Sequence, residues 1–296
     1  MREYIRDKDS QITQAVKQYT KDPNSSSRKD FREQQKRERK EGWQSKSIHG
    51  QHVKQTKGFA AQESWQWLKR GCLKRQTESL LVGAQDPALR TNYRKARIEH
   101  TRESALCRMC NQRDETVSHI ISECSKLAQR EYKGRHDCVA GAVHWSLMKA
   151  FGLPHSETWY EHRAESVVEN EHVKVLWDFN TYVDKYIEAR RPDIIVVKKK
   201  EKECLLIDIA VPGDARALSK EDEKIEKYQD LAREVSRLWD VKTTVIPIVI
   251  GALGTITERL VPYLARRGVE LSFETIQKSA LLGSARILRK VLEKKE

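Results

Sequence analysis

Asp208 lies inside an otherwise apolar run, Leu205-Leu206-Ile207-Asp208-Ile209-Ala210-Val211, which Pro212 closes. A second apolar run of strand length, Ile194-Ile195-Val196-Val197, precedes it and opens with Arg190-Arg191-Pro192-Asp193. Between them, Lys198-Lys199-Lys200-Glu201-Lys202 reads as a short hairpin loop. A carboxylate buried in mid-strand without a partner carries a penalty on the order of several kcal/mol. Asp208 is therefore either paired or holding a cation. Pairing the two strands lets Asp193 and Asp208 converge on one point, as a hard divalent ion with oxygen ligands requires.

The order Pro-Asp, fourteen residues, then Asp in a strand resembles the PD-(D/E)xK nuclease fold. The usual third member of that pattern is a lysine two residues after the second acid, and here that place holds Ala210. The next element offers a replacement. Ser219 to Asp240 reads as the longest amphipathic helix, with Ile225, Tyr228, Leu231, Ala232, Val235, Leu238 and Trp239 on one face. Counting about 100° per residue places Lys224 within that face and Lys227 at its border. One of the two is expected to serve Asp193 and Asp208, with Lys224 the better aimed. In such a site the carboxylates hold Mg²⁺, the metal lowers the pKa of its water, and the lysine orients that water or stabilises the phosphorane charge.

The sharpest local motif is Cys107-x2-Cys110-x8-His119-x4-Cys124. Three thiolates and an imidazole make a closed tetrahedral set for structural Zn²⁺, with no open position for catalysis. His119 and Cys124 would lie about 140° apart on an α-helix, so the backbone must bend for both to reach one ion. His136 and Cys138 are near enough in sequence for one of them to take the fourth place instead. Cys72 and Cys204 read as ordinary, the latter facing the core from a strand.

Length allows one sizeable core and a smaller module, and net charge +13 over 296 residues favours a polyanionic partner. No apolar run approaches the roughly 20 residues of a membrane span. Residues 1–58 form a charged arm, with a linker signal at Asp22-Pro23-Asn24-Ser25-Ser26-Ser27 and a mixed-charge run from Arg28 to Glu41, either solvated helix or disorder. Residues 59–105 read as a helical basic linker, residues 106–138 as the knuckle, residues 139–165 as a helical connector and residues 166–296 as the nuclease domain. Within the linker, Ala88 to Ile98 is predicted to form one basic helix, with Leu89, Tyr93 and Ala96 inward and Arg90, Arg94, Lys95 and Arg97 facing phosphates. Arg190 and Arg191 add positive charge at the strand mouth. Glu169 and Glu171 are candidate outer carboxylates just before Val173–Asn180, the first strand or helix of the nuclease. Gly251 to Gly254 could bring backbone to a phosphate or simply turn the chain from strand to helix.

Taken in order, the knuckle, Arg190–Val197, Ile207–Asp214, Glu223–Tyr228 and Pro247–Gly254 resemble the C-terminal region of site-specific non-LTR retrotransposon polyproteins. The resemblance spans residues from about 60 to 296. It implies an α/β restriction-like core behind a zinc knuckle and a basic, mainly helical N-terminal region. It also implies nicking of a DNA target, with element RNA as a second partner, and a nuclear location that suits the basic charge. Asp193, Asp208 and a displaced lysine match the active-site positions of these elements, and Tyr228 matches their recurrent Lys-Tyr pair. No Ala-Asp-Asp polymerase motif occurs in the chain. The expectation is therefore a detached C-terminal part that does not copy RNA, either a Mg²⁺-dependent endonuclease or a nucleic-acid-binding remnant that has lost cleavage.

Overall fold

Strands whose side chains are apolar on both faces need cover on both sides, and the sheet is built that way. In the computed structural model, which describes residues 28–46, 50, 52 and 58–293, the chain divides into two units, Met1–Gln51 and His52–Glu296. The linker signal at 22–27 lies outside the described residues. In the first unit the mixed-charge run forms helix α1 (Arg28–Gln44). Exposed polar contacts such as Gln34 to Glu38, at 3.0 Å, decorate it.

The second unit begins with short helical segments and then α2 (Arg75–Gln85), α3 (Asn92–Arg97) and α4 (Lys133–Ala150). A mixed sheet follows: β1 (Val167–Glu169), β2 (Val173–Trp177), β3 (Ile194–Lys198) and β4 (Glu203–Ala210). Helix α5 (Ala217–Trp239) then crosses over to β5 (Lys242–Val249), and α6 (Leu260–Ala265) and α7 (Phe273–Leu292) complete the unit. The five strands lie in the order β1-β2-β3-β4-β5. All pairs are antiparallel except β4 with β5, the parallel pair that the α5 crossover permits. Pro247 is tolerated inside β5 because that strand is the sheet edge.

Residue alternation sorts the two faces. Ile194, Val196, Leu205, Ile207, Ile209, Ile246 and Ile248 point into a core closed by α4, α6 and α7. Ile195, Leu206 and Val245 meet Tyr228, Leu231 and Val235 of α5 on the other side. Helix α7 is buried twice over: Ile276 and Ala280 join the sheet core, while Leu281, Ala285 and Leu288 pack against Cys107, Ile120 and Cys124. Helix α4 runs continuously through the expected boundary at 138–139, so the knuckle and the sheet share one scaffold.

Several local expectations need correction. The basic helix of 88–98 is confined to Asn92–Arg97, because the Thr91 side chain caps it by accepting from the Arg94 amide. Its inward residue is Asn92, which accepts from Arg108 and donates its amide to Glu115, while Tyr93 turns outward. Val173–Trp177 is a strand. The turn from Gly251 to Gly254 is not open to a phosphate. Asp214 already accepts from the Leu253 amide at 2.9 Å and from the Thr255 amide at 3.2 Å. A Cβ on Gly251 would overlap that carboxylate and the Thr255 hydroxyl, which explains the glycine.

One core contact carries a pH prediction. His144 of α4 is buried, with Nδ1 2.7 Å from His162 Nε2 and its ring edge-on to Trp177. Burial, then the nearby His162, depresses its pKa to about 3. The unfolded chain therefore binds a proton that the folded state refuses. Stability is complete above pH of about 6.5 and falls as pH drops toward 3, by an amount on the order of 4 kcal/mol at the low end. Melting His144→Gln beside the parent chain checks this: the gap in Tm should narrow steadily from pH 6.5 downward. A constant gap would remove the assignment.

Candidate metal centres

The knuckle sequence folds around four converging side chains. Cys107-Arg108-Met109-Cys110 closes as a tight turn in which Asn111 takes a positive φ of 54° and donates its amide to the Cys107 carbonyl at 2.8 Å. The Met109 amide points at Cys107 Sγ, 3.4 Å away. The bend that an α-helix could not supply is a π-helical turn, His119–Glu123, followed by extended backbone at Cys124. Hydrogen bonds from i to i+5 widen that turn, so His119 and Cys124 return to one side.

The ligand atoms of Cys107, Cys110, His119 and Cys124 all lie within 4.8 Å of one another. Cys107 Sγ is 3.9 Å from Cys124 Sγ, and Cys110 Sγ is 3.3 Å from His119 Nε2. Tetrahedral Zn²⁺, with bonds of about 2.3 Å to sulfur and 2.0–2.1 Å to nitrogen, sets edges of about 3.5–3.8 Å. The cluster thus fits a metal such as zinc. Burial pushes the Cys124 thiol up to about 12 and raises Cys107. Burial opposes ionisation of Cys110 as well, yet the amides of Gln112 and Arg113, with hydrogen bonds from the Cys107 and Cys124 thiols, together hold that thiol below its ordinary range. Three thiolates so close together need a bound cation, which is the physical case for a metal here.

Arg108 anchors the turn through Glu115, a buried ion pair at 2.7 Å. On the other side, Tyr132 accepts from the Cys124 amide at 2.9 Å and donates to the Ile120 carbonyl at 2.8 Å. The Arg135 guanidinium lies over the Tyr132 ring and donates to the Val211 carbonyl at 2.9 Å. The first turns of α4 therefore connect the cluster to the end of β4.

That strand end is the second centre. The β3–β4 register pairs Ile194 with Ile207, so Asp193 stands opposite Asp208 one step beyond. The spacing of fourteen residues is what a hairpin with this register requires. Asp208 is 3 % exposed and forms an ion pair with Lys224, about two turns into α5. Asp193 Oδ2 accepts from the Ile209 amide at 2.6 Å. Lys227 donates to the Tyr228 hydroxyl at 3.1 Å and lies over its ring. Tyr228 in turn donates to the Arg191 carbonyl at 3.1 Å, and burial beside Asp208 raises its pKa.

His136, weighed above as an alternative knuckle ligand, belongs to this centre instead. Its Nε2 lies 3.4 Å from Asp193 Oδ2 and 3.2 Å from the Ile209 carbonyl. Contact with Asp193 raises its pKa to about 9 against the opposing effect of burial, so it is cationic at neutral pH. Cys138 is exposed. A faint signal for His136 existed: Val139 and Val143, three and seven residues later, mark the inward face of α4. His136 of α4 thus stands against Asp193 and the Ile209 carbonyl, and Lys224 of α5 against Asp208.

The expected nucleic-acid residues are scattered. Arg90 and Arg94 both bind Glu99, at 2.9 and 3.1 Å, one carboxylate shared by two guanidinium groups. Lys95 and Arg97 remain on the same short helix, Lys95 at a shallow recess with Arg90. Arg191 holds Asp178 at 2.6 Å at the base of the β2–β3 loop, beside Arg190. Glu169 pairs with Lys199 at the opposite end of the strands from Asp193, and the adjoining turn carries Glu171. No helix among the described residues is long and apolar enough to cross a membrane. No protein-family model matches the chain, and no curated protein matches it.

Proposed function

We propose that this chain is a Mg²⁺-dependent DNA endonuclease with a PD-(D/E)xK-like core and a structural zinc knuckle, derived from a non-LTR retrotransposon polyprotein and acting in the nucleus. The observation that carries the activity is the meeting of Asp193, Asp208 and Lys224 at one strand end, with the lysine supplied by α5 in place of the one missing at Ala210. The α4–sheet–α5–β5 order is consistent with that core. The retrotransposon origin, the DNA target and element RNA as a second partner rest on the ordered motifs of the sequence.

When bound between the two carboxylates, Mg²⁺ would lower the pKa of a ligated water and neutralise charge on the phosphate. Asp193 and Asp208 would hold it, and His136 would yield its place on Asp193. Lys224, fixed by Asp208, would then direct its ammonium toward the attacked phosphate, where a preorganised positive charge is worth most. Tyr228 fixes the Arg191 backbone just before Asp193 and so positions the first acid.

The test is nicking of supercoiled plasmid with and without Mg²⁺. Lys224→Ala should slow cleavage about 10²-fold, the scale of losing one preorganised stabiliser. Lys227→Ala should cost far less, because its amine is engaged with Tyr228. The reverse ranking would assign the role to Lys227. A second reading is a binding remnant, and one observation favours it: both acids are already neutralised by Lys224 and His136. No Mg²⁺-dependent nicking by the parent chain would leave that reading standing.

A further inference from the structure

Beside the carboxylate pair runs a groove of about 440 Å³. One wall comes from the knuckle and the start of α4, including Tyr132, Lys133 and His136. The other comes from the start of α5, with Arg216, Lys220 and Lys224. Its floor is the end of β4 and the turn at Gly213. The knuckle wall approaches the floor closely there: a Cβ on Gly213 would lie 2.7 Å from Ser122 Oγ of the knuckle. Among the described residues no aspartate or glutamate lines the groove, although five of its residues carry or can carry positive charge.

We infer that this groove is the track for the phosphodiester backbone of the DNA strand being cut, with the zinc knuckle as one of its two walls. The inference rests on the reading of Asp193 and Asp208 as the cleavage centre, because His136 and Lys224 are shared between groove and acids. Cations on both walls, with an acid-free lining, grip a chain of phosphates from two sides. The carboxylates that Lys133 and Lys220 hold do not block this. Asp137 and Glu223 are about half exposed, and exposed pairs of that kind are worth about 0–1 kcal/mol, so a phosphate can replace them. Arg216 is exposed at the groove itself. The arrangement also gives the knuckle a role different from that of a tethered DNA-binding finger: it fixes a groove wall through Tyr132 and Arg135.

Binding of the full chain to a fluorescein-labelled duplex, followed against salt concentration, tests the track. Each lost phosphate contact lowers the slope of log K against log salt by about 0.9. The double variant Arg216→Ala/Lys220→Ala should therefore flatten the slope by about 1.8 and weaken binding roughly tenfold or more in 0.1 M salt. Lys133→Ala, on the opposite wall, should flatten it by about 0.9. Lys200→Ala, in the β3–β4 turn at the other end of the strands, should match the parent. Parental slopes in both groove variants would overturn the track, as would a parent chain whose DNA binding does not respond to salt. A parent that binds with the expected slopes but never nicks would remove only the cleavage reading, since the groove is judged on binding alone.

Discussion

Asp208→Asn is expected to abolish Mg²⁺-dependent nicking while duplex binding stays within about twofold of the parent or tightens slightly. The carboxylate is sealed from solvent and faces Lys224. Its neutral amide keeps the shape of the site and removes one of the two charges available to a divalent cation. Binding should be spared because the lost charge is negative and stands beside a phosphate track. Stability should suffer as well, since the Lys224 ammonium loses its counter-charge. Breaking a fully buried pair costs about 3–5 kcal/mol, and the partial exposure of Lys224 should reduce this. Nicking and thermal melting on the same preparations separate the two effects. Parental cleavage by a folded Asp208→Asn chain would exclude this carboxylate from the chemistry.

The second large effect should follow loss of metal from the knuckle. The purified chain should carry about one zinc, and Cys110→Ser should lose it. Zinc-finger peptides gain about 10–16 kcal/mol from their metal, an upper bound here because the surrounding fold helps to hold the ligands together. Even a few kcal/mol of that should lower Tm by on the order of 10 °C in a domain of this size. The fall should be global. Cys107, Cys124, Ile120 and Ile121 share a core with Leu281, Ala285 and Leu288 of α7, and α7 also closes the sheet core. Repulsion among uncompensated thiolates would loosen that contact first at high pH, where Cys107 and Cys124 begin to ionise. Metal content by elemental analysis and melting with and without chelator provide the check. A parent chain nearly free of zinc, with a chelator-insensitive Tm, would end the structural-metal assignment.

Much of this architecture was legible in the residues because its information is local. An apolar run interrupted by one acid, a proline before a second acid and a turn between them define a hairpin, and the hairpin register alone sets Asp193 opposite Asp208. The same holds for the amphipathic face of α5, whose helical period placed Lys224 inward, and for the four ligands of the knuckle, whose spacing implied convergence and a bend. Periodicity and spacing report on neighbours within one element or across one turn.

Tertiary structure decided which charges remain free and what meets across the chain. Arg90 and Arg94 share one partner, Glu99, which lies beyond the end of α3 and which helical spacing did not reveal. His136 looked like a spare knuckle ligand, yet α4 packs on the sheet and delivers it to Asp193. The bend between His119 and Cys124 took the form of a π turn held by Tyr132, a residue with no motif of its own. The acid-free groove exists only because the knuckle and the start of α5, far apart in sequence, face each other across the end of β4. A side chain's charge and shape are written in the sequence. Its partner is chosen by packing, because hydrophobic burial fixes where each element lies and polar groups then pair with whatever that placement puts within reach.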